Sequence, residues 1–443
     1  MPAPLTRVIP AIGRLGPALA AVIALIGLFL VLIVVTDGAG SGIPAWLAAL
    51  GAGAAAALWP GRRTRRARLL RLLPVAVAAA LTVSVLIPTV PTHRRYPAPL
   101  PFVATRSWRL ATGSRVAVYH YPPAPGAARR PRPLVYLNGG PVRGISLLDH
   151  RFLRLLARRG HDVYAYEQAG GGRSGLLPMD EYGVSRTVRD LGAFIDHLHT
   201  GPADVLGFSS GGVVLTRALA DPRVAARVHR AVIAEPGPMD GPTAKINGHP
   251  GRPSARGLAP PVTGPRSTYV PRYGVGLGLV QLGLLAPGNG LIGQAEGDNA
   301  FTAADLGGDT ASGYCARDAH RIPVEDTART FTFSPVASLR FQQTVKDSPS
   351  IAARLRRSHT PAMLMIAECS AQVRQWETAV LADDPAVRRT QYMPGVGHHM
   401  WNGLDGDNDR AAAVIAAFLR GGPPPLPDYP TRAGIPAFLR AHK

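Results

Sequence analysis

Three short glycine-bearing segments hold the residues best suited to chemistry. In DVLGFSSGGVVLTRAL, Ser209 sits on a GxSxG frame with Gly207 and Gly211, after an apolar run and before a helical one. Such a frame places a hydroxyl on a sharp strand-to-helix turn, where side chains two positions either way would collide and glycine does not. The frame also chooses between adjacent serines, because Ser210 would need glycine at 208 and finds Phe208. Upstream, LVYLNGGPV ends another apolar run with Gly139 and Gly140. Taken alone this is an ordinary turn; beside a nucleophile, an N–H of that loop and the N–H of Ser210 could hold a developing oxyanion. Downstream, YMPGVGHHMW presents His398 on a glycine-flanked loop, where a general base for Ser209 is wanted. His399 is its rival, and the glycine spacing favours His398.

These segments need a scaffold that brings strand ends together. From Arg115 onward, short β-branched and aromatic runs alternate with helical patterns, which predicts a mainly parallel sheet covered on both faces. The expected strands are 116–121, 134–137, 163–166, 205–208, 231–234, 363–367 and 390–393. The expected helices are 147–159, 184–199, 212–220 and 410–419. Residues 236–359 lack the alternation and read as an inserted cap or lid. The core is thus expected over 108–235 and 360–420, followed by a Pro-rich tail at 421–443.

NGGP at 138–141, YEQAGGGRSG at 166–175, GFSSGG at 207–212 and PGVGH at 394–398 together resemble the proline iminopeptidase branch of the α/β-hydrolases. That branch reads HGGPG, DQRGxGxS, GxSxG and PGxGH in the same order. The resemblance implies the α/β-hydrolase fold, a catalytic triad and a helical cap. The chain departs from the pattern at Asn138, Val142, Glu167 and Ala169, and at the usual place of the triad acid, where Ser370 stands. A serine cannot stabilise an imidazolium as a carboxylate does. Glu368, two residues earlier, is the first candidate acid; Glu235 and Asp240, beyond the strand 231–234, come second; a missing acid is the third possibility. Glycines 170, 172 and 175 also spell GxGxxG, but no helix opens on them and no carboxylate closes a following strand, so a dinucleotide site is not expected.

Composition limits the remaining roles. The formal charge of +21 comes almost wholly from arginine, scattered among alanines and prolines without interleaved aromatics, which speaks against a nucleic-acid partner. Two cysteines, Cys315 and Cys369, are too few for a disulfide scaffold or a four-cysteine zinc site, and neither a metal nor a cofactor is expected. They could form one bridge tying cap to core, or stay as buried thiols.

Three apolar stretches, 15–35, 43–59 and 69–90, precede the globular pattern, and the first carries no charge over a length that spans roughly 30 Å as a helix. A signal peptide would account for the first alone. Six arginines between positions 62 and 71 fix the second loop on the cytoplasmic side. Three crossings then place everything after residue 90 outside the cytoplasm, beyond a stiff Pro-rich linker at 91–107.

Two function classes follow: a membrane-anchored serine hydrolase acting on an ester or on a peptide or other amide, and a non-catalytic domain of the same fold that binds a ligand. The arginine loop yields a test of topology. Protease added to intact cells is expected to digest the chain beyond residue 101 and to spare residues 62–68; protection of the catalytic region would mean an even number of crossings.

Overall fold

A computed structural model describes residues 103–245, 313–321, 334–370, 384–401, 404, 407–423 and 425–426, together with residues 51 and 76. The chain divides into two compact units, Met1–Arg94 with Ser267–Ala300, and Arg95–Arg266 with Phe301–Lys443. All described residues but Gly51 and Ala76 belong to the second unit, which is the one considered below. The expected spans at 15–35, 43–59 and 69–90 lie outside the described residues apart from those two positions. Among the described residues no helix is long and apolar enough to cross a membrane.

Eight strands form one sheet: β1 (Thr105–Arg109), β2 (Arg115–Tyr121), β3 (Pro133–Leu137), β4 (Asp162–Tyr166), β5 (Ala203–Phe208), β6 (Val228–Ala234), β7 (Ala362–Ala367) and β8 (Val387–Met393). Their spatial order is β1-β2-β4-β3-β5-β6-β7-β8. Only β2 pairs antiparallel with its two neighbours, β1 and β4; from β4 across to β8 every pairing is parallel. Parallel strands require crossovers, and the helices that make them cover both faces. These are α1 (Leu147–Arg158), α2 (Val184–His197), α3 (Ser210–Leu219), α4 (Pro222–Ala225), α5 (Pro335–Lys346), α6 (Ala352–Leu355) and α7 (Asp407–Leu419).

The period of two along each strand sorts the core into two layers. Val135, Leu137, Val205, Ile233, Leu364 and Ile366 pack with residues of α2, α3, α5 and α6. Leu134, Tyr136, Leu206, Val232, Met363 and Met365 pack with α1 and α7 on the other face. Most expected elements shift by one to three residues at an end, and two differences are larger. β1 begins inside the stretch expected as linker. Phe341, Val345, Ile351 and Leu355, expected in the cap, lie in the same buried cluster as Leu191 and Val214. The segment 334–359 therefore completes the core layer over α2 and α3 rather than a lid.

Capping and buried polar groups lock these layers. Ser146 accepts the Asp149 N–H while the Asp149 carboxylate accepts the Ser146 N–H, closing a capping box at the start of α1. The same carboxylate accepts from Tyr136 Oη at 2.6 Å and from Trp401 Nε1 at 2.7 Å, joining α1 to the segment after β8. Asp190 on α2 accepts from Ser114 Oγ at 2.7 Å and from Arg186 Nε at 3.2 Å, tying the β1–β2 turn to that helix.

His161, at the entry to β4, is buried with neither ring nitrogen hydrogen-bonded. Burial, reinforced by Arg130 and Arg420, pushes its pKa down from 6.5 to about 4. The unfolded chain therefore binds the proton more readily, and the stability present above pH 6.5 is lost as pH falls towards 4. The loss is on the order of 3 kcal/mol when complete. Thermal unfolding between pH 7 and 4.5 should show His161→Leu losing distinctly less stability on acidification than the wild type; identical slopes would remove His161 as the cause.

Candidate active site

The candidate residues meet where parallel strands end. Ser209 follows β5 at φ 53° and ψ −116°, with its own N–H donated to Ala234 O across the sheet at 2.9 Å. A serine gains nothing locally from such a backbone, so the surroundings must impose it. They do so through contacts that only glycine permits. A Cβ on Gly207 would stand 2.5 Å from Gly211 O, and one on Gly211 would stand 2.2 Å from Leu137 O. The turn is therefore pressed against the end of β3. Ser209 is partly exposed, whereas Ser210 is buried and its hydroxyl has no hydrogen-bond partner. Of the two serines, only Ser209 is accessible to a substrate.

The loop after β3 closes over the same spot. A Cβ on Gly139 would lie 2.9 Å from Ser209 Cβ, and Gly140 takes φ +148°. Asn138, which replaces the histidine of the family motif, donates from Nδ2 to Arg143 O at 3.1 Å and Gly144 O at 3.3 Å, holding the loop curled. Opposite, Ser210 is the first residue of α3, so its N–H has no acceptor within the helix. Ser209 thus lies between the Gly139 backbone and the positive end of a helix.

His398 lies on the loop after β8, its ring 5.1 Å from that of Phe208. Its Nδ1 is 3.1 Å from Glu235 Oε2, and the Glu235 side chain is fully buried. The other carboxylate oxygen of Glu235 accepts the Ala367 N–H at 2.7 Å. Glu235 follows β6 directly, at φ 46°, with its N–H donated to Met365 O. His399, the next residue after His398, donates its N–H to Gly313 O at 2.9 Å and packs edge-on to Tyr314 at 5.8 Å and to Phe208 at 6.1 Å.

Of the three carboxylates the sequence offers beside the histidine, Glu235 is the one found against His398 Nδ1. Glu368 Oε2 accepts the Gly395 N–H at 2.6 Å, a backbone group three residues before His398. Asp240 is likewise occupied elsewhere, accepting from Thr243 N, Thr243 Oγ1 and Ile351 N within a buried turn. Position at a strand end is legible for Glu235 and Glu368; which one faces the imidazole depends on the positive φ at Glu235, which no glutamate advertises. Cys315 and Cys369 are joined by a disulfide with Cα atoms 5.1 Å apart. The glycines 170–175 wrap a carboxylate instead of a nucleotide: Glu167 accepts from Ile145 N at 3.0 Å and Arg173 N at 2.6 Å. Sequence reasoning missed Asp149 and Trp401, whose pairing anchors the segment just after His398; the signal would have been the lone tryptophan following the histidines.

A family model described as the alpha/beta hydrolase fold matches residues 132–254. Among solved structures, a hydrolase from Pseudomonas aeruginosa PA01 is 16% identical, with 72% of this chain and 99% of that chain covered and a TM-score of 0.47. An esterase from Thermogutta terrifontis is 14% identical, with 72% and 98% covered and a TM-score of 0.48. The proline iminopeptidase of Mycobacterium smegmatis is 17% identical, with 72% and 98% covered and a TM-score of 0.44. No curated protein matches. The strand order, the strained serine turn and the family model give the chain the α/β-hydrolase fold.

Two glycine substitutions separate a steric need from mere helix preference. Gly211→Ala drives a methyl into the Leu137 carbonyl and should cost about 1–3 kcal/mol or more. Gly192→Ala, inside α2 with only ordinary contacts to Val224, should stabilise by about 0.5–1 kcal/mol. Urea unfolding of both variants checks the pair, and a neutral Gly211→Ala would contradict the close approach.

Proposed function

We propose that this chain is a membrane-anchored serine hydrolase that cleaves an ester or amide through an acyl-enzyme on Ser209. The observation that carries the reading is the pairing of His398 Nδ1 with the buried Glu235 carboxylate, on a loop whose ring packs against the residue preceding Ser209. With Nδ1 committed to the carboxylate, Nε2 is the nitrogen left to take a proton from Ser209. Ser209 Oγ attacks the acyl carbon as His398 accepts its proton. The oxyanion forms against the N–H of Ser210 and an N–H of the Gly139–Gly140 loop. His398, charged and held by Glu235, then gives the proton to the leaving alcohol or amine. Water, deprotonated by His398, releases the acid product.

The substrate is a small molecule or peptide carrying an acyl ester, or a prolyl or other amide, and no cofactor takes part. The three apolar stretches and the arginine loop support a multi-pass anchor with the catalytic domain outside the cytoplasm. The Cys315–Cys369 bridge supports the same placement, since such bonds persist in oxidising compartments.

Labelling with a fluorophosphonate tests the chemistry. Ser209→Ala should abolish covalent capture while Ser210→Ala remains labelled, and a screen of acyl esters against prolyl amides then assigns the substrate class. Glu235→Gln should lower turnover by about 10⁴-fold, as expected when the group orienting the imidazole no longer carries charge. Undiminished labelling of Ser209→Ala would sink the nucleophile; undiminished turnover of Glu235→Gln would sink the acid.

A further inference from the structure

The loop 394–399 that carries His398 is gripped residue by residue from outside itself. Pro394 O accepts from Arg410 Nη2 at 2.7 Å. Gly395 donates to Glu368 Oε2 at 2.6 Å, and Val396 O accepts the Cys369 N–H at 3.0 Å. A Cβ on Gly397 would stand 2.3 Å from Gly313 O, and His399 donates to the same carbonyl at 2.9 Å. The loop thus lies between two walls: residues 368–369, continuing from β7, and residues 313–315. The disulfide between Cys315 and Cys369 fastens one wall to the other, and Cys315 Sγ lies 3.5 Å from Gly395 O.

Such a grip answers a definite need. Two of the six loop residues are glycine, Gly395 at φ +81°, so the loop has little stiffness of its own. Glu235 meets the imidazole at Nδ1, and a single such contact does not by itself set the tilt of the loop. The Glu368 contact is short and charge-assisted, and its carboxylate is 7% exposed, so it restrains the loop at the residue three before His398.

We infer that Glu368 and the Cys315–Cys369 bridge together form a clamp that positions the His398 loop for proton transfer at Ser209. Glu368 is a positioning residue here, acting through the Gly395 amide; this rests on the hydrolase reading above. Loosening the clamp leaves the substrate site intact and displaces the base.

Full-length protein carrying Glu368→Ala, Glu368→Gln or the pair Cys315→Ser and Cys369→Ser tests the clamp with two readouts. One is deuterium uptake in the peptide covering 394–401. The other is the limiting rate of fluorophosphonate capture at Ser209, separated from the half-saturating concentration. Glu368→Ala and the double serine variant should take up deuterium faster, and their limiting rate should fall about tenfold to a hundredfold, the cost of misplacing a reacting group by about 1 Å. The half-saturating concentration should hold. Glu368→Gln keeps an acceptor for Gly395 and should stay within about threefold of wild type, the difference between a charged and a neutral hydrogen bond. Unchanged uptake in Glu368→Ala, or equal losses for Ala and Gln, overturns the clamp. Should the double serine variant fail to fold, the two Glu368 variants decide alone. A wild type that resists labelling would defeat the hydrolase reading, and deuterium uptake would still judge the clamp.

Discussion

Close approach of three backbones at the end of β5 governs the arrangement of everything around Ser209. A non-glycine residue at φ 53° and ψ −116° costs on the order of 1–3 kcal/mol, and that cost is met only if neighbouring structure leaves no alternative. The neighbours are the end of β3, whose Leu137 carbonyl touches Gly211, and the end of β6, whose Ala234 carbonyl takes the Ser209 N–H. Both strands flank β5 in the parallel sheet. The same flanking position brings the loop after β3 against Ser209 and the residue after β6 against His398. One steric requirement at the turn therefore dictates which strand ends can contribute to the site.

Much of this was legible in the chain because burial on both faces leaves a plain signature. β3, β5 and β7 are entirely buried, and their runs LVYL, DVLGF and AMLMIA have almost no competing reading. β1 was not legible: TRSWR is exposed along most of its length, is the antiparallel edge strand, and owes its conformation to its pairing with β2. α5 was missed for a different reason. Its sequence, PVASLRFQQTVK, offers only a narrow apolar stripe. Tertiary packing against α2 decides its place, and a local pattern does not carry that information.

The carboxylate beside His398 shows the limit most sharply. Glu235 and Glu368 each stand immediately or nearly immediately after a parallel strand, and those strands, β6 and β7, are neighbours. Spacing along the chain therefore assigns both to the same edge of the site. What separates them is direction. The positive φ at Glu235 turns its side chain so that one oxygen meets Ala367 N and the other meets His398. Glu368 instead continues the pairing of β7 with the chain after β8, donating its own N–H to Met393 O, and its carboxylate follows that edge to Gly395. The fold uses both carboxylates on the histidine loop, one on the imidazole and one on the backbone.

The same logic bears on the departures from the family motif, which in the sequence look like decay. Asn138 stands where the motif has histidine, yet its amide spans two carbonyls of the loop that covers Ser209. Glu167 stands where the motif has aspartate, and its longer side chain reaches Tyr119 Oη at 3.1 Å as well as the N–H groups of Ile145 and Arg173. Ser174 completes the knot, donating to Glu167 O and accepting the Ala117 N–H. Removing one partner of such a buried pair leaves the other unsatisfied, at a cost of about 1–3 kcal/mol. Here the substituted residues hold the loops on either side of Ser209 in place.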